Sequence, residues 1–186
     1  MIIVGIDEVG RGCWAGPLVA GAVILDEAKQ PPFPLRDSKK LSSKQRETLA
    51  EWITENALDH GLGWVSATEV DDIGLTEAVR QAMQRAVDEL QHAYDKIIID
   101  GHIAYLQGDN VEAIIKADDT EPAVSAASIL AKVARDQHMA MLSQKFPGYG
   151  FENHVGYGTA EHIAALKQLG VSTIHRRSYK PIKALL

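Results

Sequence analysis

A chain of 186 residues, 46% hydrophobic and 24% charged, is long enough for one domain with a real core, ordinary for a soluble globular protein. Its formal net charge of -6 puts it outside the basic class typical of nucleic-acid binders. Net charge does not set the local field of a cleft, however, and bound divalent cations would change that field. A single cysteine, Cys13, excludes an intramolecular disulfide framework.

In chain order, "MIIVGI" reads as a first buried strand, and its apolar run stops at Asp7, too short for a signal peptide or a membrane span. A cytoplasmic protein is expected. The turn "GRGCW" leads to a second strand, Pro17 to Leu25, so a wide antiparallel hairpin is expected. Cys13 in that turn reads as a small apolar filler, because no particular histidine is tied to it as a partner base. Lys29 to Lys40 is proline-rich loop. A helix follows from about Ser43 to His60, opened by a Ser42/Gln45 capping box, with Leu49, Trp52, Ile53 and Ala57 on one face. Leu62 to Ala67 reads as a third strand. From Leu75 to Tyr94 apolar residues recur at helical spacing. "KIIID", Lys96 to Asp100, is a fourth strand, and "VEAIIKADD", Val111 to Asp119, a fifth. Pro122 opens a long helix that runs to Phe146, and a last helix runs from Thr159 to Gly170. Residues 1–186 show no repeat or linker, and the order implies an α/β fold: a mixed five-stranded sheet flanked by helices on both faces.

Asp7 and Glu8, Asp100, and Asp118 with Asp119 then stand at the C-terminal ends of three strands, where open α/β sheets build their sites. Any one of these acids alone reads as a solvated turn residue. Together they read as a cluster, because "IIID" and "GIDE" carry the acid directly out of a β-branched core run. Converging carboxylates cannot all ionise without compensation, and they titrate as a set. Hard divalent cations, magnesium or manganese, resolve that conflict with oxygen ligands. The seven histidines are scattered without zinc-like spacing. Two such ions about 4 Å apart clamp the attacking and leaving oxygens of a phosphodiester displacement.

The flanks agree with a phosphate-bearing partner. Gly10, Arg11 and Gly12 permit close backbone approach and offer N–H donors. Ser38, Lys39 and Lys40 precede a helix N-terminus, and "HRRSYK", His175 to Lys180, forms a basic cluster. Each has a plainer alternative: a turn, or lysines on a solvated surface. Tyr157, between glycines, is either a stacking platform for a sugar or base or an ordinary turn tyrosine.

"GIDEVGRG", "DSKKLS", "IIIDG", "SAASILAKVARD" and "GYGT…HRRSY" resemble, in order and spacing, bacterial ribonuclease HII, from about Ile3 to Leu186. The resemblance implies a ribonuclease H-like fold with a C-terminal helical extension. It implies endonucleolytic hydrolysis of the RNA strand of RNA–DNA hybrids with magnesium or manganese. It also implies nicking on the 5' side of single ribonucleotides embedded in duplex DNA, leaving 3'-hydroxyl and 5'-phosphate ends, as in ribonucleotide excision repair. By that resemblance Asp7, Glu8, Asp100 and Asp118 are the catalytic metal ligands, Asp118 rather than Asp119 fitting the spacing. Asp7 bridges both ions, Asp118 joins it on the nucleophile side, and Glu8 and Asp100 serve the leaving-group side. Gly10-Arg11-Gly12 resembles the reader of the ribonucleotide 2'-OH, the group that separates RNA from DNA. Tyr157 matches the tyrosine that packs on the following deoxyribose, and Lys39 a phosphate-contacting lysine. A monomer without an obligate protein partner is expected.

Three positions depart from the family pattern: Arg36 replaces an Asn, Ala117 a glycine and Val155 a lysine. The last removes a phosphate contact; none removes a carboxylate. "SYKPIKALL", Ser178 to Leu186, does not read as a sliding-clamp tail. Two other readings stand against this one. "VGIDEVG" loosely resembles the first phosphate loop of actin-like phosphotransferases, but Arg11 holds the place of their Ser or Thr, and 186 residues leave no room for a second lobe. A catalytically silent hybrid-binding module would have no need of all four acids.

Overall fold

The computed structural model describes residues 1–186. Its sheet runs β3-β2-β1-β4-β5. The strands are β1 (Ile3–Val9), β2 (Leu18–Ile24), β3 (Asp59–Val65), β4 (Lys96–Asp100) and β5 (Val111–Ile114). β2 pairs antiparallel with both β1 and β3, and β4 pairs parallel with β1 and with β5. The mixed sheet and the hairpin expected from sequence are both present. The three acid-bearing segments are neighbours, as a converging cluster requires. Ile6 pairs with Ile99, so Asp7 and Asp100 follow side by side on adjacent strands.

Alternation along the strands assigns the two faces. Val4, Ile6, Leu18, Ala20 and Ala22 point to one side, where they bury Ala78, Ala82, Met83 and Ala86 of α3 (Leu75–Asp88). The other side carries α5 (Pro122–Lys145), with α1 (Ser43–Asn56) packed outside it through Leu49, Ile53, Ala126 and Ile129. α5 lies so close to the sheet that a Cβ at Gly5 would sit 2.1 Å from the Ala123 carbonyl carbon. One at Gly21 would sit 2.5 Å from the Ala127 carbonyl oxygen. That close approach delivers Ser128 and Lys132 of α5 to the mouth of β1. A third cluster, formed by Ala15, Met139, Tyr149, Phe151, Ala165, Leu166 and Ile182, packs α6 (Phe151–His154), α7 (Ala160–Leu169) and α8 (Lys180–Lys183) against the end of α5.

Several boundaries differ from the sequence reading. α1 stops at Asn56, because residues from Asp59 on pair with β2: Ile24 with Asp59 and Val23 with His60. β3 accordingly begins earlier and ends at Val65. Ser66 then caps an additional helix, α2 (Ala67–Ile73), through a capping box with Glu69. α3 ends at Asp88 rather than near Tyr94. The fifth strand ends at Ile114, and Asp118 belongs to a helical turn, α4 (Ala117–Thr120). No helix is long and apolar enough to cross a membrane.

Candidate active site

A cleft of about 420 Å³ opens at the C-terminal edge of β1 and β4. Asp7, Glu8, Asp100 and Asp118 line it, together with Gly10, Arg11, Gly12, Lys39, Ser128, Lys132 and Tyr157. The structure therefore gathers in one cleft the four acids, the glycine turn, Lys39 and Tyr157, but not Lys40 or "HRRSYK". Carboxylates, hydroxyls, cations and glycines make up most of its lining residues, with no thiol or imidazole among them.

Each carboxylate arrives by a different route. Asp7 lies within β1 and is 8% exposed. Its Oδ1 accepts the Glu8 N–H at 2.8 Å. Burial first, then the Glu8 and Asp100 charges, push its pKa well above the usual carboxylate value. Glu8 is also pushed up by burial, opposed by Arg11, whose Nη1 donates to Glu8 Oε1 at 3.3 Å. Asp100 closes β4 and accepts the Ala117 N–H at 2.7 Å. That bond explains why the chain leaves β5 early. Lys116 takes a left-handed turn (φ 59°), the Ala117 N–H meets Asp100, and Asp118 swings over the cleft. Ala117 replaces the usual glycine without strain because it is the first residue of a helical turn. The Asp118 pKa is raised by burial and by the Asp100 charge. Asp119 points elsewhere and pairs with Lys40, which separates the two adjacent acids as the spacing argument expects.

The four acids share a cleft but do not close round one point: no three Asp, Glu, His or Cys groups stand as a ready-made metal cage. Three raised carboxylates in one cleft describe uncompensated negative charge, and their all-oxygen donor set suits a hard divalent ion. The residues present fit such an ion, with water and substrate phosphate completing its shell.

The basic stretches are divided rather than pooled. Of Ser38-Lys39-Lys40, Lys39 faces the cleft, Lys40 pairs with Asp119, and buried Ser38 accepts a bond from Ser128 Oγ at 3.2 Å. The α1 N-terminus is occupied by its own capping box. "HRRSYK" is split: His175 is 1% exposed and Arg176 fully buried, while Arg177 and Lys180 are exposed, and none of the six lines the cleft. Arg176 donates to the carbonyls of Gly16 and Arg11 and to the Tyr179 hydroxyl. Arg135, also fully buried, donates to the carbonyls of Pro17 at 2.8 Å, Val155 at 2.7 Å and Ala15 at 3.1 Å. Neither guanidinium meets a carboxylate. Both pin the loop between β1 and β2 to α5 and to the C-terminal helices, a role that sequence reading missed.

That loop carries the glycine turn. Gly10 has φ +93°, and a Cβ there would lie 2.4 Å from Arg135 Nε, so both conformation and space demand glycine. Tyr157 is 40% exposed, with its ring edge against Gly12, where a Cβ would lie 3.9 Å from Cε1. Burial of its hydroxyl end pushes its pKa up to about 12, so the phenol stays neutral. Cys13 is fully buried and its thiol is pushed up, so it fills space as expected.

The family model described as ribonuclease HII matches residues 4–182. A ribonuclease HII from Hyphomonas neptunium is 48% identical over 202 residues, covering 100% of this chain and 96% of that one. Another, from Polynucleobacter asymbioticus, is 47% identical over 188 residues, covering 99% and 95%. The crystal structure of ribonuclease H2 from Pyrococcus horikoshii superposes with a TM-score of 0.84 at 30% identity, covering 100% of this chain and 97% of that one.

Proposed function

The chain belongs to the ribonuclease HII family, and from that premise we propose how its cleft cleaves and selects its substrate. The activity itself is endonucleolytic hydrolysis of RNA in RNA–DNA hybrids. Our reading assigns Asp7, Glu8, Asp100 and Asp118 as ligands of two divalent ions, magnesium or manganese. Bound there, such ions polarise the phosphate and lower the pKa of the attacking water. The chain's own residues do the rest. Ala117 N–H holds Asp100 in place, and the Glu8 N–H does the same for Asp7. Lys39, at the cleft edge, meets a substrate phosphate.

Gly10-Arg11-Gly12 and Tyr157 read the sugar. Gly10 brings backbone close to the ligand, and the Tyr157 face stacks on the deoxyribose beyond the ribonucleotide. A 2'-hydroxyl both donates and accepts hydrogen bonds, so a backbone turn at that point separates RNA from DNA. The enzyme then nicks 5' to a lone ribonucleotide and leaves 3'-hydroxyl and 5'-phosphate ends. Residues 1–186 work as one catalytic domain and as a monomer. The observation that supports this reading best is the juxtaposition itself: four acids from β1, β4 and the helical turn after β5 share a cleft with the glycine turn and the tyrosine.

The test is cleavage of labelled duplex DNA carrying one ribonucleotide, with magnesium, with manganese and with chelator, mapping the cut and its end groups. A metal-dependent nick 5' to the ribonucleotide is the expected result. Cuts confined to long hybrids would remove the sugar-reading assignment and keep the metal site. No cut on either substrate would remove both.

Val155 allows a second test. It is half-buried, and its left-handed backbone (φ 46°) is unfavourable for a β-branched side chain. Val155→Lys is expected to relieve that strain and add one phosphate contact. Hybrid binding should tighten, and the slope of log affinity against log salt should steepen by about 0.9. An unchanged slope would show that position 155 does not face the backbone of the substrate.

A further inference from the structure

His154, His162 and His175 are scattered in sequence but form one buried group behind Tyr157. The His154 and His162 rings stack with centroids 4.4 Å apart and planes at 11°. His162 Nε2 and His175 Nε2 lie 2.9 Å apart. Two facing ring nitrogens at that distance share one proton: one donates and the other accepts.

The neighbours decide which. His175 Nδ1 receives the Ser172 backbone N–H at 3.0 Å, so it is an acceptor. Its proton therefore sits on Nε2 and is donated to His162 Nε2. His162 Nδ1 faces the Tyr157 carbonyl at 2.9 Å, an acceptor, so that nitrogen carries a proton and donates it. His154 Nδ1 receives the Gly156 N–H at 3.2 Å, and its Nε2 donates to the Tyr149 carbonyl at 2.7 Å. Ser172 Oγ also stands 2.8 Å from His175 Nδ1 and donates its hydroxyl proton there, so in this pattern each of the three rings carries one proton. Burial agrees: it holds His162 below the usual imidazole value and His175 at about 4.

The geometry points to His162 and His175 as positioning residues for Tyr157. The Nε2 proton of His175 locks His162 into the tautomer whose Nδ1–H grips the Tyr157 carbonyl, and this sets where the tyrosine ring stands. The inference deepens the proposed function and rests on its reading of Tyr157 as a substrate contact. The ring is 40% exposed, with one edge against Gly12 and its hydroxyl end buried beside Cys13. Its backbone is tied by its N–H to the His154 carbonyl and by its carbonyl to the Thr159 N–H and to His162. His154 and His162 thus grip the two sides of the same residue. Trp14 tilts against His162 at 5.8 Å and fills the space over Gly158, so the imidazole is caged as well as bonded.

Two substitutions separate positioning from packing. An Asn amide mimics Nδ1 and keeps the donor to the Tyr157 carbonyl; a Gln amide mimics Nε2 and keeps only the contact with His175. His162→Gln is expected to lower kcat/KM for nicking at a single ribonucleotide about three- to tenfold, one hydrogen bond's worth, with manganese half-saturation unchanged. His162→Asn should stay within about twofold of wild type on the same scale. In a Tyr157→Ala background the two should nick equally, because the residue they position is gone. Equal nicking by the Gln and Asn variants with Tyr157 present would overturn the proposal. So would a Gln effect that persists undiminished without the tyrosine. Should Tyr157→Ala alone nick like wild type, the tyrosine reading itself falls and takes the proposal with it. A measurement on the unaltered chain stands beside these. Long-range proton–nitrogen spectra at neutral pH should show His162 protonated on Nδ1 and His154 and His175 on Nε2. An imidazolium, or His162 protonated on Nε2, would overturn it.

Discussion

Replacing Asp7 by Asn is expected to slow hybrid cleavage by about a thousandfold or more, because several kcal/mol of transition-state charge stabilisation would go with a proposed metal ligand. Hybrid binding should survive, since the glycine turn, Lys39 and Tyr157 are untouched. The same substitution should raise the melting temperature of the chelated protein. Asp7 is buried and its pKa is raised by burial, Glu8 and Asp100. A carboxyl whose folded pKa lies above its unfolded one binds more protons in the fold than out of it across that interval. Stability is then full below the unfolded value and falls as pH rises through the folded value. At neutral pH the buried Asp7 carboxyl costs stability, and Asn removes that cost. Glu8 and Asp118 are raised too, so chelated wild type should lose stability with rising pH above the carboxylate range. Manganese should reverse that trend in wild type by binding the folded state, and do so less in Asp7→Asn. Cleavage by the variant within about twofold of wild type would be under 0.5 kcal/mol of barrier and would sink the metal assignment.

The opposite signs of those two effects state what the cleft is for. A fold built for stability alone would not bring three acid-bearing segments together. This one places Asp7 and Asp100 side by side on adjacent parallel strands and adds Asp118 by a left-handed turn at Lys116. The cluster was legible in the sequence because "GIDE" and "IIID" carry acids straight out of apolar runs, and strand direction then fixes which end they occupy. The third arm was less legible. "VEAIIKADD" continues as an apolar strand on paper, and the residue that breaks it is a lysine in a conformation usually signalled by glycine or asparagine. What ends β5 is a long-range bond from the Ala117 N–H to Asp100, which no local pattern encodes.

Helix α2 had a visible signal, Ser66 followed by Glu69 at capping-box spacing, but at seven residues it gave no periodicity to reinforce it. The histidines illustrate a different limit. No zinc-like spacing links positions 154, 162 and 175, and it is the packing of α6, α7 and the segment after α7 that stacks the rings. The two arginines were the hardest to read. Charged side chains are solvated by default, and "HRRSYK" reads as a basic surface for that reason. Arg135 and Arg176 are buried against main-chain carbonyls, and carbonyls leave no mark in a sequence.

Arg135→Met should accordingly be the most destabilising single change among the residues near the cleft. Methionine fills much of the volume, so the loss reports the bonds. The buried carbonyls of Pro17 and Ala15 and the part-buried one of Val155 lose their donor at once. At 1–3 kcal/mol for each buried acceptor left unpaired, and with some relaxation, the cost is about 4 kcal/mol. For a chain of this size that lowers the melting temperature by roughly 8–16 °C. Arg135→Lys should recover less than half of the loss, because one ammonium on a flexible stem cannot reach three carbonyls that a planar fork spans. The functional consequence is specific. Pro17 and Ala15 belong to the loop that carries Gly10-Arg11-Gly12, and Val155 lies two residues before Tyr157. Below its melting temperature the Lys variant should therefore lose nicking at a single ribonucleotide more than it loses cleavage of long hybrids, with manganese half-saturation unchanged. A Met variant that melts within about 2 °C of wild type would mean under 1 kcal/mol for all three bonds together. That result would remove Arg135 as the anchor joining the sugar-reading loop to the tyrosine.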